Sequence, residues 1–336
     1  MTAGAVRAPA APPPGTGRKR GRKRGSGRTL ASADARAGLA LISPTLVIVV
    51  VMVVVPILWT VLLAFQRLRL LNLRSAGLFG EFSLANFDNV FGAGSFWSAL
   101  ATTLAYSVLG TAGAIGIGLA AALALRRPFR GRGFVRSLML LPYVAPIVAA
   151  TFAWTTMLNP QFGVTNHWGT RVLGWDEPIA FLSQRSSEVT LLGLTFGVPT
   201  ALLTVIAFEA WRSFPFAFLF LTARLQAVPG VLEEAARVDG ATLTQRFRHV
   251  LLPQLMPTIA VLAVLRFIWT FNSFDDIYLL TGGGAGTEVV AVSVFNSLTA
   301  RGNIGEAAAQ ALVLAAILAL LVGLYLWRLA PREERS

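Results

Sequence analysis

The sequence contains no cysteine, which excludes disulfide bonds, thiol catalysis and thiolate metal sites. Histidine occurs only at His167 and His249, without the spacing of metal ligands. Lysine occurs only at Lys19 and Lys23, so the chain has no G-x-x-x-x-G-K-[ST] loop for nucleotide phosphates. We therefore expect no metal site and no cofactor, and we predict that the chain is not an enzyme. A membrane-embedded enzyme would need a nucleophile, base or metal constellation that these counts make difficult to build.

Charged residues are scarce as well. They make up 13% of the 336 residues, whereas hydrophobic residues make up 55%, which is too apolar for ordinary soluble domains. The few charges are unbalanced, because the chain has 29 Lys and Arg but only 16 Asp and Glu, for a net charge of +13. Such an excess is compatible with nucleic-acid binding, with an anionic membrane, or with a membrane protein that keeps its basic residues on one side.

The N-terminal residues 1–37 are rich in Pro, Ala, Gly and Arg, with basic clusters at 18–20 and 22–24. The first apolar run, 38–65, is too long for the h-region of a secretory signal. We predict that 1–37 form a disordered, basic, cytoplasmic tail. An arm that binds nucleic acid is the alternative.

Long apolar segments dominate the rest of the chain, and a helix needs about 20 such residues to cross a bilayer. The six segments are 38–65, 97–125, 134–158, 194–223, 256–280 and 306–328. The sequence therefore predicts an all-α fold, a polytopic membrane helix bundle with six transmembrane helices. We divide it into a first helix with an external loop (38–95), a core (96–329) and a cytoplasmic C-terminal tail (330–336). The prolines inside the segments are expected to kink the helices rather than end them.

The basic residues indicate the orientation of these spans. With six crossings, 22 of the 29 Lys and Arg fall in the N-terminal tail, 126–136, 212–249 and 328–336, all on one side. We therefore predict a multi-pass protein of the cell membrane with both termini in the cytoplasm. This orientation, rather than a nucleic-acid partner, explains the positive net charge.

The predicted cytoplasmic loop 227–256 contains two short helices. The first is expected over 231–238 and ends at a turn where Gly240 accepts a positive φ at no steric cost. Thr242 and Gln245 have the spacing of a capping box at the start of the second. Phe247, Val250 and Leu251 give that helix an apolar face, and Pro253 is expected to close the loop before the next span.

Such a pair of helices is suited to docking against another protein. Glu234 offers a carboxylate for an arginine of a partner, and Ala235 and Ala236 allow close approach of a second backbone. An amphipathic loop that lies on the bilayer surface is the alternative explanation.

The spacing of this loop is similar to a known motif. Glu234-Ala235-Ala236, three residues, Gly240, nine residues and then Val250-Leu251-Leu252-Pro253 resemble the EAA loop of ABC importer permeases, EAA-x3-G-x9-I-x-LP. Val250 stands where the family has isoleucine. The resemblance implies a coupling helix that docks on an ATP-binding subunit, formed by Glu234, Ala235, Ala236, Gly240, Val250, Leu252 and Pro253.

Further strings extend the resemblance from Phe96 to Leu329. They are WRSFPF at 211–216, LQAVP at 225–229, WTFNSFDD at 269–276 and TGGG at 281–284. They are similar to the first permease subunit of maltose and glycerol-phosphate importers, although Ala285 stands where proline is usual. The resemblance implies transport of a carbohydrate across the lipid bilayer. It also implies a second homologous permease, two cytoplasmic ATP-binding subunits and an extracytoplasmic solute-binding protein, with no nucleic-acid partner.

Charged residues inside spans are costly and are therefore candidates for function. Glu209 and Arg212 lie three residues apart, so they can form a structural ion pair on one helix face. Arg266 is too far along its helix from Asp275 and Asp276 to pair with them, and we expect its partner on another helix or on the paired subunit.

A group of polar and aromatic residues near the outer end of the fifth span is compatible with sugar recognition. Carboxylates and amides bind sugar hydroxyls, and aromatic rings pack on the apolar faces of sugars. Contacts with a binding protein, or helix packing, would explain the same residues. With the carboxylate in the middle of the fourth span, the candidate substrate path comprises Glu209, Trp269, Phe271, Asn272, Asp275 and Asp276.

A secondary transporter driven by an ion gradient is the main alternative to an ABC permease. Such transporters are commonly built from internal repeats with broken helices at matching positions. The sequence does not divide into two convincing halves of this kind.

Overall fold

The computed structural model describes residues 38, 40–72, 82–191 and 194–329. The predicted tails 1–37 and 330–336 lie outside these residues. The chain divides into two units, Met1–Ile57 and Leu58–Ser336. The described part of the first unit is helical and its side chains are exposed, whereas the second unit contains the core and all the sites discussed below.

The described residues are mostly helical. The helices are α1 Ala40–Ala64, α2 Ala85–Gly92, α3 Gly94–Ala124, α4 Arg132–Val144, α5 Ile147–Met157, α6 Val164–Arg171, α7 Thr200–Ala227, α8 Gly230–Val238, α9 Leu243–Phe271, α10 Asp275–Thr281, α11 Val290–Thr299 and α12 Ile304–Leu329. Single π-helical turns occur within α1 at Val50–Val54 and within α9 at Phe247–Leu251. A short hairpin pairs β1, Ser187–Leu191, with β2, Leu194–Val198.

Five of these helices are long and apolar enough to cross a membrane, counted over the described ranges: α1, α3, α7, α9 and α12. The pair α4 and α5 meets the same criteria together, but the two helices are bent by 97°. With this pair counted as one span, the chain has six, so the predicted all-α bundle of six transmembrane helices is confirmed.

The bend of the third span lies at a proline. Ala145 ends α4 in an extended conformation, with ψ of 137°, because a residue followed by proline disfavours the helical region. Pro146 then caps α5, and Pro199 occupies the same position before α7. The expectation that these two prolines only kink their helices is therefore wrong, whereas Pro142 and Pro215 do lie within helices.

Two predicted span boundaries are also wrong. The predicted fourth span began at residue 194, but 194–198 form β2, antiparallel to β1 with Ser187 opposite Val198, and the helix begins at Thr200. A short apolar run is compatible with a strand or a helix, so periodicity did not separate them. The predicted fifth span, 256–280, ends as a continuous helix at Phe271, and 275–281 form the separate helix α10.

Helices α3 and α7 pack against each other more extensively than any other pair in the part of the chain that the structure describes, and small residues allow their close approach. A Cβ built on Gly113 would lie 2.9 Å from Cβ of Ala210, and one built on Gly118 would lie 2.8 Å from Cβ of Ala217. The expectation that the glycines of the second span serve close helix packing is confirmed at these positions.

The core of the second unit lies between α3, α7, α9 and the helices that follow. Its largest fully buried apolar side chains are Tyr106, Phe96, Phe208, Phe218, Phe271, Leu221, Leu255, Leu262 and Ile277. These side chains fix the positions of the loop and of the polar residues described next.

Candidate functional site

The loop after α7 has the predicted local structure. Helix α8 begins directly after Pro229 and ends at Val238; Asp239 caps it, and Gly240 follows with φ of +77°. The hydroxyl of Thr242 accepts a bond from the amide of Gln245, and the side chain of Gln245 accepts one from the amide of Thr242 at 2.8 Å. The predicted turn and capping box are therefore confirmed.

The second predicted helix of the loop is the first part of the next span. Helix α9 runs from Leu243 without interruption, so Pro253 does not separate a loop helix from the membrane helix. Pro253 follows the π-helical turn at Phe247–Leu251 and stands at the start of the regular α-helical segment, where the missing amide costs little.

Helix α8 has an outward and an inward face. Glu234 and Ala235 are exposed, whereas Ala236 and Glu233 are half-buried. Large apolar side chains flank the exposed face on the same helix: Val238 is 88% exposed and Val231 71%. An exposed carboxylate with a small neighbour and an apolar border has the composition of a docking surface for protein.

The loop is tied to three membrane helices. Glu233 on the inward face of α8 forms an ion pair with Arg126, just beyond the end of α3. At the end of α7, Arg224 donates to the backbone oxygen of Gln254 at 3.0 Å and to its side-chain oxygen at 3.4 Å. These contacts connect α8 to the end of α3, and the start of α9 to the end of α7.

The remaining motif residues lie in the first turns of α9. Val250 and Leu252 are half-buried, and Pro253 is exposed. Their neighbour Leu251 is buried in the core with Leu255, so the predicted apolar face of this segment does pack inward.

Within the bundle, Glu209 of α7 is bound by several groups. It is 1% exposed and forms an ion pair with Arg266 of α9, which is 5% exposed. Ser213 donates to its Oε1 atom at 2.9 Å, and Thr270 donates to the same atom at 3.1 Å. The expectation that Arg266 meets a group on another helix is confirmed, and that group is Glu209.

A second carboxylate continues this network. Arg212 lies 3.5 Å from Oε2 of Glu209, as expected for the pair on one helix, and 3.3 Å from Oδ2 of Asp276 at the start of α10. Asp276 is completely buried, and the hydroxyl of Tyr106 from α3 lies 3.2 Å from its Oδ2 atom. Two arginines thus balance two carboxylates and join α3, α7, α9 and α10.

The structure divides the candidate path residues into two groups. Glu209, Phe271 and Asp276 are buried, the first and last in the polar network and Phe271 in the apolar core. Trp269 is 47% exposed, with the guanidinium of Arg266 over its ring, and Asn272 and Asp275 are exposed. The amide of Asn272 donates to the backbone oxygen of Ile268. Over the described ranges, no three acidic or histidine side chains group closely enough to hold a metal ion.

Several contributors to these sites were not predicted from the sequence. Ser213 follows Glu209 by four residues and Thr270 follows Arg266 by four, so helical spacing of polar residues in the spans was a usable signal. The pairing of Arg126 with Glu233 had no local signal, because the two residues belong to different parts of the chain.

Comparison with known proteins agrees with this architecture. The family "Binding-protein-dependent transport system inner membrane component" matches residues 114–332. The chain is 35% identical over 285 residues to the inner membrane ABC transporter permease protein YcjO of Escherichia coli (strain K12), covering 84% of this chain and 90% of that protein. It is 30% identical over 294 residues to the trehalose transport system permease protein SugA of Mycobacterium tuberculosis (strain ATCC 25618 / H37Rv), covering 88% and 89%.

A solved structure has the same fold. In the crystal structure of a bacterial alginate ABC transporter in complex with an alginate pentasaccharide-bound periplasmic protein, one chain matches with a TM-score of 0.73 at 22% identity. The match covers 89% of this chain and 96% of that chain. The chain described here, with its multiple membrane spans, belongs to the family of inner membrane components of binding-protein-dependent transport systems.

Proposed function

We propose that the chain is a permease subunit of an ABC importer and forms half of the translocation path for a carbohydrate. Its partners are a second homologous permease, two cytoplasmic ATP-binding subunits that hydrolyse ATP, and an extracytoplasmic solute-binding protein. Family membership supports the permease role. The relatives named for trehalose transport support a carbohydrate as the substrate.

The α8 loop is the observation that carries this proposal. It presents Glu234 and Ala235 on an exposed face with an apolar border, and Gly240 turns the chain sharply after it. In the proposal, this face docks on an ATP-binding subunit, and an arginine of that subunit pairs with Glu234. The other motif residues, Val250, Leu252 and Pro253, hold the start of α9 in place.

Movement of the ATP-binding subunits reaches the membrane through the contacts of the loop. The Arg126–Glu233 pair connects α8 to the end of α3, and Arg224 connects the end of α7 to α9. In the proposal, closure of the two ATP-binding subunits shifts these helix ends together and opens the path to the opposite side.

The proposed orientation places the α8 loop and both chain termini in the cytoplasm. The basic segment 126–136, which precedes and forms α4, lies on the same side as α8, since Arg126 contacts Glu233. Concentration of basic residues on this side is typical of a cytoplasmic face.

For the substrate path, the exposed group is the better candidate for sugar contact. Trp269 offers an aromatic face, and Asn272 and Asp275 offer an amide and a carboxylate. In the proposal, Glu209 and Asp276 in the polar network and Phe271 in the apolar core hold the surrounding helices in position.

Replacement of Glu234 tests the docking role. In cells or proteoliposomes containing all subunits of the system, Glu234→Ala should reduce ATP-driven uptake about tenfold or more, since a charge-assisted bond is worth about 1.5–3 kcal/mol. Glu177→Ala, which changes an exposed carboxylate in the loop after α6, is the matched control and should transport normally. Normal uptake by Glu234→Ala, at normal abundance in the membrane, would overturn the proposal.

The energy source separates this function from the secondary transporter. Uptake by the wild type should stop when ATP is depleted at constant ion gradients. It should continue when an ionophore collapses the gradients in vesicles supplied with ATP. The reverse pattern would identify an ion-coupled carrier.

A further inference from the structure

A cavity of about 420 Å³ lies behind the α8 loop, on the side opposite its exposed face. Its walls come from the end of α3 and the turn after it, from the inward face of α8, and from the first turns of α9. The charged lining residues are Arg126, Arg127, Arg237, Arg246 and Glu233. Four guanidinium groups and one carboxylate give the cavity a strong excess of positive charge.

The single carboxylate does not neutralise these arginines. Glu233 is engaged by Arg126, and its side chain is only 16% exposed. The Nε atom of Arg246 is shielded from solvent and finds no hydrogen-bond acceptor among the residues that the structure describes. A buried donor without an acceptor is costly, so the cavity favours an anion that several guanidinium groups can share.

The remaining walls are apolar. They include Leu123, Leu243, Phe247 and Leu251. A small hydrophilic anion gains nothing from such walls, whereas a phosphate attached to a glycerol backbone and acyl chains would contact both kinds of lining.

The position of the cavity matches that of lipid headgroups. Helix α3 has 31 residues and is therefore roughly 46 Å long, against about 30 Å for the hydrocarbon core of a bilayer. Its last residues, which form the cavity wall, thus reach the headgroup layer. Beside them Phe129 and Phe134 are 47% and 75% exposed, as expected for apolar side chains inserted at the membrane surface.

We propose that this cavity binds the phosphate headgroup of an anionic phospholipid, with Arg127 and Arg246 as principal ligands. Arg126 is shared between the headgroup and Glu233. A bound headgroup therefore competes with the ion pair that ties α8 to α3. The content of anionic lipid in the membrane then changes how strongly Arg126 and Glu233 pair. The site uses the inward face of α8 and leaves the face with Glu234 free.

Lipid binding to the purified full-length chain tests the proposal. Native mass spectrometry or a fluorescent-lipid titration would compare phosphatidylglycerol with phosphatidylcholine of identical acyl chains. Arg127→Gln combined with Arg246→Gln should weaken phosphatidylglycerol binding about 30-fold, at about 1 kcal/mol per arginine. The matched control is Arg130→Gln combined with Arg248→Gln. It removes the same charge from exposed arginines that do not line the cavity, and it should change binding less than threefold, roughly the scatter of such measurements.

A second variant gives a change of opposite sign. Glu233→Gln frees Arg126 and removes the only carboxylate of the lining, so it should tighten phosphatidylglycerol binding several-fold. Arg127→Gln alone should weaken phosphatidylglycerol binding about fivefold. Because Arg127 is exposed, this single variant should fold and tests the proposal even if the double variant does not fold.

Four results would overturn the proposal. Equal losses in the two double variants would mean general attraction to a basic surface. Equal binding of the two lipids would mean that binding does not depend on the charge of the headgroup. Weaker binding in Glu233→Gln would contradict competition for Arg126. Displacement of phosphatidylglycerol by an equal concentration of inorganic phosphate would assign the cavity to a free anion.

Discussion

Replacement of Arg266 by glutamine should strongly destabilise the bundle. Glu209 is 1% exposed, and its Oε1 atom forms an ion pair with Arg266 and accepts hydrogen bonds from Ser213 and Thr270. Without Arg266, the two carboxylates of the network share only Arg212, so one negative charge is left without compensation in a buried site. Breaking a buried ion pair from one side typically costs about 3–5 kcal/mol.

The remaining contacts place the expected loss near the lower limit of that range. Arg212 still lies 3.5 Å from Oε2 of Glu209, and two hydroxyl groups still donate to Oε1. We therefore expect Arg266→Gln to lose about 3 kcal/mol. Thermal unfolding of the purified chain in detergent should show this as a lower Tm, with Arg248→Gln, at an exposed position on the same helix, unchanged.

The double variant Arg266→Gln with Glu209→Gln is the decisive comparison. It restores charge balance, because Arg212 and Asp276 then remain as a pair at 3.3 Å. It should be more stable than Arg266→Gln alone, with an interaction energy of about 1–3 kcal/mol in a double-mutant cycle. A wild-type Tm for Arg266→Gln, or a double variant less stable than the single one, would refute the charge argument.

Three other predictions concern the backbone and the orientation of the chain. Gly118→Ala places a Cβ 2.8 Å from the facing helix and should lower stability by about 1–3 kcal/mol, whereas Gly116→Ala, with free space around it, should lower neither Tm nor expression. Ala285 has φ of 52°, so Ala285→Gly should raise stability by about 1 kcal/mol in the same unfolding assay; a lower Tm would contradict the strain. The natural chain lacks cysteine, so Arg130→Cys and Glu177→Cys each provide a single thiol. A membrane-impermeant maleimide added to intact spheroplasts should label only Glu177→Cys, and the opposite pattern would reverse the topology.

The sequence predicted best where a rule is local. The capping box of Thr242, the turn at Gly240 and the number of spans depend on residues close together in the chain. The start of the fourth span was wrong because an apolar pentapeptide is compatible with both a strand and a helix. The partners of Arg266 and Arg126 depend on how distant helices pack, and the cavity behind α8 combines three segments, so no local pattern contained them.

The 97° bend between α4 and α5 limits how this pair of helices can lie in a membrane. Two helices at this angle cannot both run along the membrane normal, and the 11 residues of α5 measure roughly 16 Å, about half of the hydrocarbon thickness. The last carbonyl groups of α4 and the first amide groups of α5 also have no partner within their own helices, and lipid tails cannot supply one. The bend itself therefore requires contact with protein or water, and neither helix alone is long enough to cross the hydrocarbon core.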